Sequence, residues 1–194
     1  MLLQATPGRT ASTPHGDWLF FSGYAYLGMH QLPALQLAYQ EATMQYGWVY
    51  PSARISNTPL ALYAKAEQAL STLTGTTDTV LMANGFVAGR AAIELLTDNH
   101  AQVFRSPAWH PAISWGEPTT GSWQNWAAQT LQAIALEKDG IPPVIISDAV
   151  DPLTATVHDF SFLKAIDRPI ICLIDDSHGI GIIGSEGQGI SALL

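Results

Sequence analysis

The chain is poor in charge. Lys, Arg, Asp and Glu make up 12% of its 194 residues, about half the share of an ordinary soluble domain. Basic residues are the scarcest, with eight Lys and Arg against 16 Asp and Glu and a formal net charge of −8. No two of those eight are adjacent. Readers of nucleic-acid phosphates need such residues clustered, so no nucleic-acid partner is expected. The single cysteine, Cys172, excludes an internal disulfide framework and fits a reducing compartment. No apolar run approaches the ~18 residues of a membrane helix. Met1–Asp17 lacks a basic-then-apolar leader and carries Pro7, Gly8, Pro14 and Gly16, so it reads as an arm. A cytoplasmic protein with no membrane partner is expected. Repeats and low-complexity tracts are absent too.

What remains is 47% hydrophobic and long enough for one domain with a buried core. Pro33 opens a helix whose apolar positions run to Tyr46, with Gly47 as its stop. Thr58-Pro59 reads as the cap and first turn of a second helix, ended by Gly75. Thr79–Ala83 is expected to be a short strand, Asn84-Gly85 a turn and Phe86–Leu96 a helix. Gln102–Phe104 reads as a strand, Asn125–Lys138 as a helix, Val144–Ser147 as a buried strand, Phe160–Ile166 as a helix and Ile170–Ile174 as a strand. The strands are short, unbroken apolar runs that alternate with helices. That pattern predicts an α/β fold, a three-layer α-β-α arrangement around a mainly parallel sheet. Val80–Met82, Val144–Ile146 and Ile171–Ile174 are expected to share the sheet.

Open α/β sheets place ligands at the C-terminal ends of strands, and three segments stand out there. In Ala83-Asn84-Gly85-Phe86, a glycine at a helix start lets N–H groups approach an anion such as phosphate. The same glycine would suit a turn that needs a positive φ. In Asp175-Asp176-Ser177-His178, two carboxylates and an imidazole follow the most apolar strand. They could meet a metal, a ribose or a protonated ring nitrogen, or simply cap a turn. In Trp109-His110-Pro111, with Trp115 nearby, His110 could stack on a planar ligand or lie half buried on backbone partners. Gly179-Ile-Gly181-Ile-Ile-Gly184 matches the dinucleotide spacing, but Asp175–His178 separate it from the strand and no acidic residue follows ~20 positions on, so we reject that match. These glycines more readily serve a tight excursion of backbone beside the site.

Taken in order, these segments resemble the fold-type I pyridoxal-phosphate enzymes, in the α-oxoamine synthase branch. Tyr24-Ala-Tyr-Leu-Gly-Met29 is similar to that family's Asn-x-Tyr-Leu-Gly-Leu, and Asn84-Gly-Phe-Val-Ala88 to its Ser-Gly-Phe-x-Ala. Tyr46-Gly47 and Ser52-Ala53-Arg54 fall between them. Asp175-Asp-Ser-His-Gly-Ile-Gly181 and Gly184-Ser-Glu-Gly-Gln-Gly189 resemble the family's Asp-(Asp/Glu)-Ala-His-Gly-x-Gly and Gly-x-x-Gly-Arg-Gly. The resemblance covers nearly the whole chain but only the first half of such an enzyme. It implies residues 1–45 as an arm with the first helix, and 46–194 as the large cofactor-binding domain, ending before the Schiff-base lysine.

The resemblance implies pyridoxal phosphate as cofactor, held through Asn84, Gly85 and Phe86 at its phosphate. It implies His110 stacked on the ring, Asp175 on the ring nitrogen, His178 on the phenolic oxygen and Arg54 near the substrate carboxylate. His110, Asp175 and His178 are the candidate catalytic residues, and no metal is implied. The implied partners are an amino acid, an acyl thioester and a second copy of the chain in a homodimer. Departures from the pattern are Tyr24-Ala25, Pro152-Leu-Thr-Ala155 in place of Ser-Met-Asp-Gly, and Gln188 in place of Arg. Lys65, Lys138 and Lys164 are the only lysines, and none follows a strand where the resemblance requires one. The chain as given should therefore bind the cofactor non-covalently at most and not turn over. It reads as the N-terminal part of a pyridoxal-phosphate-dependent acyltransferase. The alternatives are a naturally short protein that binds the cofactor or a partner without chemistry, and a fragment of an aminotransferase.

Overall fold

The computed structural model describes residues 2–97, 102–107, 109–114, 116–117, 119–136 and 140–194. Trp115 and Lys138 lie outside the described residues. The chain forms two compact units, Met1–Ala61 and Leu62–Leu194.

The first unit starts with an antiparallel hairpin where an arm was expected. Strands β1 (Thr10–Thr13) and β2 (Gly16–Leu19) pair around Pro14-His15. The Thr13 hydroxyl donates to the Gly16 carbonyl at 2.9 Å and accepts the His15 N–H at 3.1 Å. Gly16 takes a φ of +112°, a conformation open to glycine, and so lets the chain reverse there. Helix α1 (Pro33–Tyr46) follows, with Pro33 in its first turn and Gly47 at φ +86° beyond its end. No residue of α1 is buried. The expected cap at Thr58 is not used: the Tyr50 hydroxyl donates to the Thr58 carbonyl and lies 3.3 Å from its hydroxyl. The next helix begins only at Ala61.

The second unit is an α-β-α sandwich. Its helices are α2 (Ala61–Thr74), α3 (Gly85–Thr97) and α4 (Trp123–Leu136). Strands β3 (Val103–Arg105), β4 (Val144–Asp148) and β7 (Ile171–Asp175) form one parallel sheet in the order β3-β4-β7. A two-residue ladder, β5 (Val150–Asp151) with β6 (Thr156–Val157), stands beside it. Every residue of β4 is buried, as a central strand of a sheet covered on both faces requires. The side chains of Val144 and Ile146 pack with Ile93 of α3, Ile113, Ile171 and Leu173. Ile145 points the other way, to Trp126, Ala127 and Ile134 of α4. Alternation along one strand thus sorts the two helices to opposite faces.

Two expected elements differ. Val80–Met82 is not a strand, because an extended segment becomes one only with a hydrogen-bonded neighbour. The Leu81 N–H is instead taken by the Glu67 carboxylate at 2.8 Å, while Val80 and Met82 are exposed. Phe160–Ile166 yields a single 3₁₀ turn, Ser161–Ala165, whose Phe162 and Leu163 still reach the α4 face. In the β5–β6 connection Ala155 adopts φ +54°, at the position where the resembled motif has glycine.

Candidate functional site

Parallel register decides which residues meet at the sheet edge. Asp148 pairs with Asp175 at the C-terminal ends of β4 and β7. Counting back by twos, Asp148 shares a face with Ile146 and Val144, and Asp175 with Leu173 and Ile171. Both carboxyls therefore lie on the α3 face of the sheet.

His110 arrives on the same face. It caps the 3₁₀ turn Pro111–Ile113, whose Ile113 packs into the α3-side core. The His110 Nδ1 accepts the Ala112 N–H at 3.1 Å, which puts the proton of the neutral ring on Nε2. The His110 main-chain N–H in turn bonds the Asp148 carboxyl. Helix α3 is pressed against this turn at Gly89, where an added Cβ would stand 2.9 Å from the Ala112 carbonyl. Arg90 anchors the far side, donating to the Ser114 carbonyl at 3.0 Å. One turn earlier α3 opens with Asn84, whose Oδ1 accepts the Val87 N–H at 2.9 Å. That cap serves Val87 and leaves the N–H groups of Gly85 and Phe86, in the exposed first turn, without an intrahelical acceptor. Gly85 does not have a positive φ, and an added Cβ there would meet nothing within 4 Å.

Asp175 is half buried, and its Oδ1 accepts both the Ser177 N–H at 3.0 Å and the Ser177 hydroxyl at 2.5 Å. Those bonds leave Oδ2 for another donor. His178 lies half buried in the turn that follows. Arg54 belongs to the first unit. The neighbouring Asp176 has a different task. Its Oδ2 accepts the Ile190 N–H at 2.7 Å, and an added Cβ at Gly179 or Gly189 would come within 1.9 or 2.0 Å of its carboxylate. Gly189 also sits at φ +83°. The glycine-rich stretch therefore wraps around the Asp176 side chain in tight turns and leads into a short 3₁₀ turn, Ile190–Ala192. Burial and the charge of Asp175 raise the Asp176 carboxyl above its usual range, although the Ile190 N–H opposes this.

Asp148 stands outside the motifs above because the expected strand Val144–Ser147 stops one residue before it. Its signal was present: both Val144–Ser147 and Ile171–Ile174 are apolar runs closed by an aspartate. Asp148 is 5% exposed. Burial, then the charge of Asp175, pushes its carboxyl up to about 7, while the His110 N–H pulls the other way and Asp151 adds to the rise.

The opposite face holds a different assembly. A cavity of about 640 Å³ there is lined by Trp123, Ala127, Leu131, Asp151, His158 and Phe162 among others. His158 stacks on Trp123 at 4.1 Å and is 8% exposed, and burial lowers the basicity of its ring.

No family model matches the chain. Its homologues are 8-amino-7-oxononanoate synthases and related enzymes. It is 27% identical over 176 residues to the 8-amino-7-oxononanoate synthase of Chromohalobacter salexigens, covering 87% of this chain and 46% of that protein. It is 28% identical to a 4-hydroxy-2,2′-bipyrrole-5-methanol synthase of a Serratia species, across 93% of this chain and 29% of that protein. Among solved structures, a serine palmitoyltransferase of S. paucimobilis with a bound pyridoxal phosphate–myriocin aldimine matches with a TM-score of 0.84. That match has 19% identity and covers 99% of this chain and 50% of that one. The 8-amino-7-oxononanoate synthase of Francisella tularensis matches with a TM-score of 0.66 at 19% identity, over 89% and 49%. The fold is thus that of one half of the two solved enzymes, and the chain spans about half the length of the Chromohalobacter synthase and 29% of the Serratia one.

Proposed function

We propose that the chain is the N-terminal, cofactor-holding part of a pyridoxal-phosphate-dependent acyltransferase, which joins an amino acid to an acyl thioester to give an α-amino ketone. The observation that carries this reading is Gly85. Neither backbone conformation nor packing asks for glycine there, so the missing side chain clears room for something outside the chain. A phosphate at the start of α3 is the group that such a cleared, donor-rich terminus suits.

When bound, pyridoxal phosphate supplies the electron-withdrawing ring that acidifies an amino acid's α-carbon. The chain's own residues bind and orient it. The Gly85 and Phe86 N–H groups hold the phosphate, with Asn84 fixing the turn. His110, its ring set by the Ala112 N–H, lies against the ring face. Asp175 accepts the ring N–H and keeps that nitrogen protonated. His178 bonds the phenolic oxygen, and Arg54 takes the amino acid's carboxylate. Lys65 and Lys164 are exposed residues, of α2 and of the 3₁₀ turn on the α4 side. Neither lies on the segments that would hold the cofactor, and Lys138 falls outside the described residues; the cofactor is proposed to be held non-covalently, without turnover by these residues. The protein is read as cytoplasmic and as a homodimer. The apolar residues exposed in and after α1, such as Met44 at 88% and Trp48 at 83%, support association.

The test is titration with pyridoxal phosphate, followed by the cofactor's fluorescence. Gly85→Val should leave the unfolding midpoint unchanged, because valine is no worse than glycine in a helix. It should weaken binding by about tenfold or more, the equivalent of one lost phosphate contact. Equal affinity in the variant would remove the support for this reading. So would borohydride fixation of the cofactor to Lys65, Lys138 or Lys164.

A further inference from the structure

Asp148 carries no role in any motif of the sequence, yet it is the most buried carboxylate at the sheet edge. It lies beside Asp175 in register, on the same face, and one strand spacing of about 4.8 Å away. It is 5% exposed, and its carboxyl receives the main-chain N–H of His110. One side chain therefore touches the segment that presents the imidazole and adjoins the carboxylate that faces a ring nitrogen. We propose that Asp148 is a positioning residue of this site, tying the His110 main chain to the strand end and leaving Asp175 as the carboxylate that meets a cationic ring. This rests on the cofactor reading above.

Burial, and then the charge of the neighbouring Asp175, favour the protonated form of Asp148 and push its carboxyl up to about 7. The charged groups that act on Asp148 are Asp175 from β7 and, more weakly, Asp151 from β5; Arg105, at the end of β3, is drawn over Trp109 at 5.2 Å and feels Glu117. His110 meets it through the main chain, and His178 follows in the turn after Asp175. Burial and the two aspartates favour the neutral form of Asp148 over the N–H bond that opposes it. A cationic ring nitrogen placed on Asp175 shifts that balance toward ionised Asp148. By linkage, ionised Asp148 then strengthens binding of the cation.

The test compares wild type, Asp148→Asn and Asp148→Leu across pH with pyridoxine 5′-phosphate, a cofactor analogue that lacks the aldehyde. Asparagine keeps an oxygen for the His110 N–H but cannot ionise, so at about pH 6 it should bind within roughly threefold of wild type. Leucine strands that N–H and should bind about tenfold more weakly. Between about pH 6 and 8.5 the wild-type advantage over asparagine should grow several-fold, as the second charge appears. Without ligand, the unfolding midpoint of wild type should fall relative to that of the asparagine variant over the same range. A purely structural contact would move the leucine variant but not the ligand's pH profile. Parallel profiles for wild type and asparagine, with binding intact, overturn this proposal alone. Failure of wild type to bind the analogue at any pH overturns the cofactor reading and this proposal together. If the leucine variant does not fold, the asparagine comparison decides.

Discussion

The two faces of strand β4 are equally apolar along their length and end differently. On the α3 side Val144 and Ile146 lead to Asp148, beside Asp175 and beneath His110. On the α4 side Ile145 leads to Ser147, whose hydroxyl turns back onto the Asp148 carbonyl at 2.8 Å and closes that face. One face thus delivers carboxyl groups to the sheet edge. The other buries aromatic rings around His158. The pleat that packs the core also decides which face can hold a ligand, because a single residue's step exchanges one for the other.

The apolar halves of this comparison predict the largest effect. Ile145→Ala and Ile146→Ala each empty a fully buried site, on opposite faces. Each should cost about 2–5 kcal/mol in denaturant unfolding. A clear inequality would show that one face, not both, carries the core.

The polar ends predict opposite responses to pH. The carboxyl of Asp148, raised from 3.8 to about 7 in the fold, contributes stability that is complete below 3.8 and lost as pH rises through about 7. At roughly 1.4 kcal/mol per pKa unit the full shift is worth about 4 kcal/mol, and screening by solvent brings the loss to about 2–4 kcal/mol. His158, lowered by burial, contributes stability that is present above 6.5 and lost as pH falls below it. Asp148→Asn should therefore remove a loss of stability that runs from pH 3.8 up to about 7, and His158→Phe a loss that sets in as pH falls below 6.5, so the two variants tilt the profile in opposite directions. Finding both variants parallel to wild type would dissolve the contrast.

A smaller effect belongs to the turn that follows β7. Gly189→Ala places a methyl group against the Asp176 carboxylate at φ +83°. It should cost about 1–3 kcal/mol from backbone strain alone. Gly85→Ala, by contrast, meets no neighbour and should cost nothing in stability. The pair separates a glycine that the chain needs from one that it does not.

Much of this was legible in the sequence. Pro33 and Gly47 bracket α1, Asn84 opens α3, and the β-branched runs at Val144 and Ile171 mark the two long parallel strands. Asp175 stood out because it closes an apolar run beside two other polar groups. What was not legible depended on partners distant in sequence. Val80–Met82 has strand-like residues but no neighbour to pair with among the described residues. Thr58 is a good cap, taken up instead by Tyr50. Asp148 looks like a loop residue until the register with β7 places it beside Asp175.

The central claim is that this sheet edge holds pyridoxal phosphate through the charge of Asp175. The most direct measurement is the affinity of wild type and of Asp175→Asn for the cofactor at neutral pH. Asparagine keeps an oxygen for the Ser177 N–H and hydroxyl but lacks the charge that stabilises a protonated ring nitrogen. The account predicts saturable, non-covalent binding by wild type and a loss of about tenfold or more in the variant, equivalent to at least ~1.4 kcal/mol. Equal affinity in the two proteins, or no binding by either, would contradict it.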